Sequence, residues 1–309
     1  MCTYNGAKYI REQLDSILAQ TYPATEIVIQ DDGSTDDTVA IIKEYQQKWP
    51  QVVCYRNEGE HGVNPNFFSA IKKAKGDYVA ISDQDDIWEE NKLEWQMEVI
   101  GDKLLCSGRS IPFPSEGYDM RTPNYSLLRL IYCNSLPGHT MFFPKRLLNH
   151  MPDLPPPRTY DVTLAIIAAS FDSIAYVDRP LVRHRMHQQS ATFTPPTNNK
   201  KTLGNMVRYI IHTTRLSMEI KDKVKDHLKR ELAYMMNIHS SEPVYKEAIK
   251  MLRYQTGDSA LDAIRYQLMC VKHCDKLLYV PGRKTLPTML RGLLFPVYVY
   301  EYFRYMSKR

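Results

Sequence analysis

Glycine is scarce in this chain, with 13 among 309 residues. A fold made of many tight β-turns needs more, so an all-β architecture is excluded. The cysteines Cys2, Cys54, Cys106, Cys133, Cys270 and Cys274 are few and scattered. A disulfide scaffold is denser, so reduced thiols and a cytoplasmic setting are expected. The run Cys270-Val-Lys-His273-Cys274 has no second ligand pair at zinc spacing, which argues against a structural zinc. Nowhere do 18 apolar residues follow one another, so no bilayer-spanning helix is expected, and no signal peptide is read.

The composition is 43% hydrophobic and 24% charged, which excludes wholesale disorder and collagen-like sequence. The net charge of +5 conceals an asymmetry. Residues 1–200 carry 20 Lys and Arg against 25 Asp and Glu, whereas residues 201–309 carry 20 against 10. An acidic front and a basic back point to two physical roles, the second facing an anionic partner.

Hydrophobic spacing gives the organisation. Helices are expected over 9–20, 37–49, 64–75, 87–99 and 161–171, and strands over 26–30, 52–56, 78–82 and 173–177. Residues 100–160 read as irregular. Pro195-Pro196-Thr-Asn-Asn-Lys-Lys reads as a linker, which sets boundaries of 1–195 and 196–309. Beyond it the chain reads as helical, with breaks near Thr256-Gly257, Pro281-Gly282 and Pro296. Strands alternating with helices imply an α/β sandwich containing parallel strands.

Two acidic loops follow strands. In Ser82-Asp83-Gln84-Asp85-Asp86-Ile87-Trp88, three carboxylates stand within four residues. In a cleft they need a cation; on a surface they would merely cap the next helix. The loop is no EF-hand, because Trp88 stands where that motif requires Gly. In Asp31-Asp32-Gly33-Ser34-Thr35-Asp36, a carboxylate after a parallel strand can bind a ribose hydroxyl or a base N–H; taken alone, the segment also reads as an ordinary turn with a helix cap. Open α/β sheets bind ligands at the carboxyl ends of their strands, so both loops are expected at one cleft.

Four segments stand in order at matching spacing: Thr3-Tyr4-Asn5-Gly6, Asp31 to Asp36, Gly62-Val63-x-x-Asn66-Phe67, and Ser82 to Trp88. Over residues 1–195 the chain resembles the family 2 glycosyltransferases of GT-A fold, especially the bacterial rhamnosyltransferase-like branch. The resemblance implies a nucleotide-diphospho-sugar transferase sandwich with a C-terminal helical subdomain. It implies inverting transfer from a UDP- or dTDP-type sugar to a glycan or lipid-linked acceptor, in bacterial cell-surface polysaccharide synthesis. Thr3, Tyr4, Asn5, Asp32 and Asp83 would bind the donor nucleotide, and Asp86 would face the donor sugar. Asp85 would bind Mg²⁺ or Mn²⁺, with His187 as a further metal and phosphate partner and Arg185 on the phosphates. Gly138 and His139 would border the acceptor, and Asp161 would be the general base. Lys92 matches a position that is usually basic.

The sequence also departs from the pattern. Tyr160 replaces a His, Val162 and Thr163 replace aromatics, and Gln189 or Ser190 replaces an Asn. Met1 stands at the end of the family's first strand, so that strand is expected to be truncated here. Two other functions fit parts of the sequence: a sugar nucleotidyltransferase, for which Asn5-Gly6-Ala7-Lys8 is a poor phosphate loop, and a non-catalytic carbohydrate- or nucleotide-binding remnant of the fold. The basic tail interleaves Tyr298, Tyr300, Tyr302, Phe303 and Tyr305 with Arg304, Lys308 and Arg309. It is expected to lie peripherally on an anionic membrane, at its inner face. No nucleic-acid motif accompanies it, so no nucleic-acid partner is expected.

Overall fold

The structure is a computed structural model and describes residues 1–113, 123–186, 203–278 and 284–308. Its front is a parallel sheet of β1 (Cys2–Thr3), β2 (Ile27–Asp31) and β3 (Val52–Arg56), in that order. Helices α1 (Ile10–Leu18) and α2 (Thr38–Lys48) connect these strands. All five residues of β2 are buried, as a central parallel strand requires. After α3 (Val63–Lys73) come β4 (Tyr78–Ala80), β5 (Ile87–Trp88), α4 (Lys92–Ile100), β6 (Leu105–Phe113), α5 (Leu127–Leu130), β7 (Phe142–Pro144), α6 (Tyr160–Ser170) and β8 (Ile174–Arg185). The strands among these form a second sheet in the order β4-β7-β6-β8-β5.

Three local readings change. Residues 105–113 are not irregular: β6 lies between β7 and β8 and pairs with both. Its composition, with Ser107, Gly108, Ser110 and Pro112, carries little strand propensity, so the pairing overrides it. Gly108 is required there, because a Cβ would stand 2.4 Å from Leu181 Cδ1. The helix expected from residue 87 starts at Lys92, since Ile87 and Trp88 pair antiparallel with Arg183 and Val182. The last strand runs to Arg185 rather than stopping at 177.

The C-terminal part contains α7 (Leu203–Met235), α8 (Pro243–Thr256), α9 (Ala260–Lys272), α10 (Cys274–Leu277), α11 (Leu286–Tyr298) and a 3₁₀ segment, Val299–Lys308. Pro296 sits inside α11 and does not end it, whereas Pro281-Gly282 lies outside the described residues. One buried cluster joins these helices to the sheet and α6, running through Leu127, Ile131, Leu164, Ile220, Leu228, Leu252 and Phe295. Arg158 crosses this junction with an ion pair to the buried Glu231 at 2.8 Å and a bond to Ile131 O. Two of the tail aromatics also turn inward. Phe303 is fully buried under Arg158 and His227, and the Tyr302 hydroxyl accepts from Arg129 at 2.7 Å. Arg309 lies outside the described residues.

β1 has only two residues, and they pair with Gln30 and Asp31 alone. Among the described residues, no strand pairs with β4 on the side away from β7. A cavity of about 330 Å³ lies there, lined by Ile27 and Val28 of β2, Tyr78 to Ala80 of β4, Phe67 and Ile71 of α3, and Leu93 of α4. The Met1 ammonium is buried beside it and donates to Val28 O at 2.8 Å; burial pushes its pKa down.

Candidate active site

Three loops meet at the carboxyl ends of β1, β2 and β4. Gln84 clasps Tyr4, its Nε2 donating to Tyr4 O and its Oε1 accepting from Tyr4 N, both at 3.0 Å. Asn5 lies in the left-handed region, at φ 48°, a conformation Asn tolerates better than most residues. There its N–H donates to Ser34 Oγ and its Oδ1 accepts from Thr35 N. The acidic turn 31–36 has its own internal order: Asp31 accepts from Gly33 N, Ser34 N and the Thr3 hydroxyl. Thr3 is therefore buried as a fastening of this turn, while Tyr4 stands exposed at the rim.

Asp32 accepts from Asn57 Nδ2 at 2.7 Å, Gly62 N at 2.8 Å and His61 Nδ1 at 2.9 Å. Burial works against its ionisation, but these donors prevail and hold its carboxyl below the ordinary range. Asp32 thereby ties the second acidic segment to the Gly62 loop.

The loop 82–86 contains the densest chemistry. Asp86 is fully buried. Its Oδ1 accepts from Arg185 N at 3.1 Å and lies 3.0 Å from His184 Nδ1. Its Oδ2 has no hydrogen-bond partner and faces His139 Nδ1 at 3.6 Å. Burial raises the Asp86 pKa, yet His184, His139 and Arg185 N together bring it below the usual value. In His184 burial lowers the pKa, but the bond to Asp86 and the negative charges of Asp86, Asp83 and Asp85 together outweigh it and raise it. The two imidazoles stack with centroids 4.8 Å apart. His139 also reaches Asp83 Oδ2 at 3.4 Å and Ser110 Oγ at 2.7 Å. One ligand atom from each of Asp86, His139 and His184 falls within a 4.8 Å group, and no other such His, Cys, Asp and Glu group exists among the described residues. The orphaned Asp86 oxygen and the two imidazoles could hold a divalent ion that accepts nitrogen ligands.

Asp161 is brought to the same cleft by a close approach of backbone. Gly138 opens a single 3₁₀ turn, Gly138–Thr140, that carries His139. A Cβ on Gly138 would lie 2.4 Å from Tyr160 Oη and 3.2 Å from Asp161 Cβ. Tyr160 cannot yield easily, since it is buried and stacked on Phe67 at 4.1 Å. Asp161, in the first turn of α6, accepts from Asn134 Nδ2 at 2.7 Å and from the Thr159 hydroxyl at 2.5 Å. Gly138→Ala is therefore expected to cost about 1–3 kcal/mol of stability through overpacking and to lower turnover by displacing Asp161. Denaturant titration and a transfer assay measure the two effects.

Arg185 is held with its guanidinium over the rings of Tyr9 and Phe113, while Nε donates to Asp85 O at 2.9 Å and Nη2 pairs with Glu12 at 2.8 Å. It thus braces the acidic loop from below.

The family model for glycosyl transferase family 2 matches residues 1–155, half of the chain. The chain belongs to glycosyl transferase family 2. An uncharacterised glycosyltransferase of Rickettsia typhi is 29% identical over 210 residues, 62% of this chain and 64% of that protein. The dTDP-rhamnosyl transferase RfbG of Shigella flexneri is 39% identical over 99 residues, covering 30% of this chain and 34% of its own. The putative teichuronic acid biosynthesis glycosyltransferase TuaG of Bacillus subtilis is 34% identical over 118 residues, 38% of this chain and 44% of its own. In fold, the chain is similar to S. aureus TarS residues 1–349 in complex with UDP-GlcNAc, with a TM-score of 0.58 at 16% identity over 99% of this chain and 89% of that one. The architecture is GT-A.

Within this family 2 chain, the fold brings Asp83, Asp86, His139 and Asp161 to one place, with Asp85 in the same loop. His187 lies outside the described residues. His139 was expected at the acceptor, but its imidazole points to the acidic loop. His184 was missed as a site residue. Asp86 comes opposite it because β5 and β8 pair antiparallel with Ile87 against Arg183, a register no local pattern announces. Lys92 leaves the cleft altogether: it is fully buried 3.7 Å above the Trp88 ring, and burial lowers its pKa to about 7. Cys270 and Cys274 are buried, and His273 pairs with Glu247 at 2.9 Å.

Proposed function

We propose that the chain is an inverting, metal-dependent glycosyltransferase. It moves a sugar from a nucleoside-diphosphate sugar to a hydroxyl of a glycan or lipid-linked acceptor in bacterial cell-surface polysaccharide synthesis. The observation that carries this reading is the convergence of the Asp83–Asp86 loop, His139 and His184 beside Asp161 at the carboxyl edge of the strands. The name of RfbG, a dTDP-rhamnosyl transferase, supports a dTDP-type donor, and that of TuaG, in teichuronic acid biosynthesis, supports a surface glycan.

Each residue has a role in this reading. Tyr4 and Asn5, fixed by Gln84 and Ser34, form the wall against which the nucleotide rests. Asp83 binds the ribose. Arg185, already braced by Tyr9 and Phe113, adds positive charge near the diphosphate. Asp86, His139 and His184, with Asp85 beside them, are the residues that would hold a divalent ion. When bound, that ion would neutralise the diphosphate and stabilise its departure. Asp161 takes the proton from the acceptor hydroxyl as it attacks the anomeric carbon; its bonds from Asn134 and Thr159 fix the direction of the carboxylate. Attack opposite the leaving group inverts that carbon. The units 1–195 and 196–309 divide the work, the first holding every one of these residues.

Thermal-shift measurements with UDP, dTDP and GDP, each with and without Mn²⁺, test the reading. A ligand that binds the native state raises the melting temperature by mass action, so one nucleotide is expected to stabilise the protein only with metal. Asp85→Ala and His184→Gln are each expected to remove that metal-dependent shift. Equal shifts with and without Mn²⁺ in the parent chain would overturn the metal assignment.

A further inference from the structure

We propose that the outward face shared by α9 and α11 docks on an anionic lipid bilayer. Of the tail aromatics expected at a membrane, Phe303 is fully buried and Tyr305 stays exposed at 49%. A larger exposed apolar surface lies ahead of them, on α9 and α11. On α9, Leu261, Ile264 and Leu268 recur at helical spacing and stay exposed, Leu268 at 63%. On α11, Leu286, Leu290 and Leu293 do the same, Leu286 at 71%. Gly292 lets the two helices touch: a Cβ there would stand 2.7 Å from Cys270 O and 2.8 Å from Cys274 Cβ. The two leucine rows therefore run side by side. Single exposed leucines need no explanation, but two adjoining rows make a contiguous patch that water disfavours.

Charge selects the occupant. No acidic residue occurs between Lys284 and Tyr300, and Arg291, next to Leu290 in sequence, stands exposed on α11. On α9, Arg265 and Lys272 are exposed beside the row, Lys272 in an ion pair with Glu247 at 3.1 Å. The one acidic residue of α9, Asp262, is paired with Arg265 at 3.8 Å. Residues 201–309 carry 20 basic against 10 acidic side chains. Leucines flanked by Arg and Lys, on helices that do not span, match an interfacial membrane contact. No helix among the described residues is long and apolar enough to cross a membrane. None of these side chains belongs to the cleft, so the proposal stands or falls apart from the catalytic reading.

Co-sedimentation of the full chain with vesicles of phosphatidylcholine alone, or mixed with phosphatidylglycerol, is the test. Binding is expected on the anionic vesicles, weakening with added salt. The triple variant Leu268→Gln, Leu290→Gln, Leu293→Gln is expected to bind them at least ~10-fold more weakly, because it removes inserted apolar surface. The pair Arg265→Gln, Arg291→Gln is expected to lose most of the salt dependence and about 5-fold or more in affinity. Donor hydrolysis should be unchanged in both variants. Unchanged sedimentation in either one overturns the proposal. So does light scattering that shows a dimer in the parent chain and a monomer in the leucine variant without any vesicle binding, which would make the face a contact between two copies.

Discussion

Asp161→Asn is expected to lower sugar transfer by roughly 10²–10⁴-fold while leaving donor affinity within a few-fold of the parent. The substitution is nearly isosteric. The Thr159 hydroxyl can turn from donor to acceptor, so the start of α6 should survive. What is lost is the ability to take a proton from the acceptor hydroxyl. Turnover and donor affinity are measured separately, by product formation and by nucleotide titration. Transfer within a small factor of the parent would show that the base lies elsewhere, and a parallel loss of donor binding would point to a structural role for Asp161.

Filling the gap between β2 and β4 is expected to have the largest effect on stability. The cavity of about 330 Å³ is lined by Ile27, Val28, Phe67, Ile71, Val79 and Leu93, and the edges of two strands flank it. An extended apolar segment ahead of Met1 would continue β1 between them. Each buried Val or Ile contributes about 1.5–3 kcal/mol, against an ordering cost of about 1–2 kcal/mol per residue. The extension would also replace the buried Met1 ammonium with a peptide group, removing a charge that burial disfavours. A chain carrying about five added Val or Ile residues should therefore melt about 4 °C or more above the present one. A matched extension of Ser and Asn should not. Equal melting of the apolar and polar extensions would mean that the cavity does not accept a strand.

Much of this fold is legible in the sequence. Ile27 to Gln30 and Tyr78 to Ser82 are apolar runs that stop at carboxylates, and the segments between them carry helical spacing. Those patterns are local, so the parallel rhythm, the two acidic loops and the family could all be read from them. The sequence also placed Asp161 at the start of a helix, where a carboxylate suits the dipole.

Other features depend on contacts between distant segments, and there local pattern is silent. β6 carries Gly, Ser and Pro and looks irregular, yet it is a strand because β7 and β8 offer it partners. Asp86 and His184 are 98 residues apart and meet only through the β5–β8 register. His139 reaches them because Gly138 has no Cβ to hold its turn away from Tyr160. The tail aromatics looked free for a membrane, but Arg129 and Arg158 draw Tyr302 and Phe303 inward. Which apolar residues remain outside is decided by which helix faces find a partner, and spacing along one helix cannot report that. Sequence determined the elements and the chemistry at their ends; tertiary pairing decided which of those ends share a site.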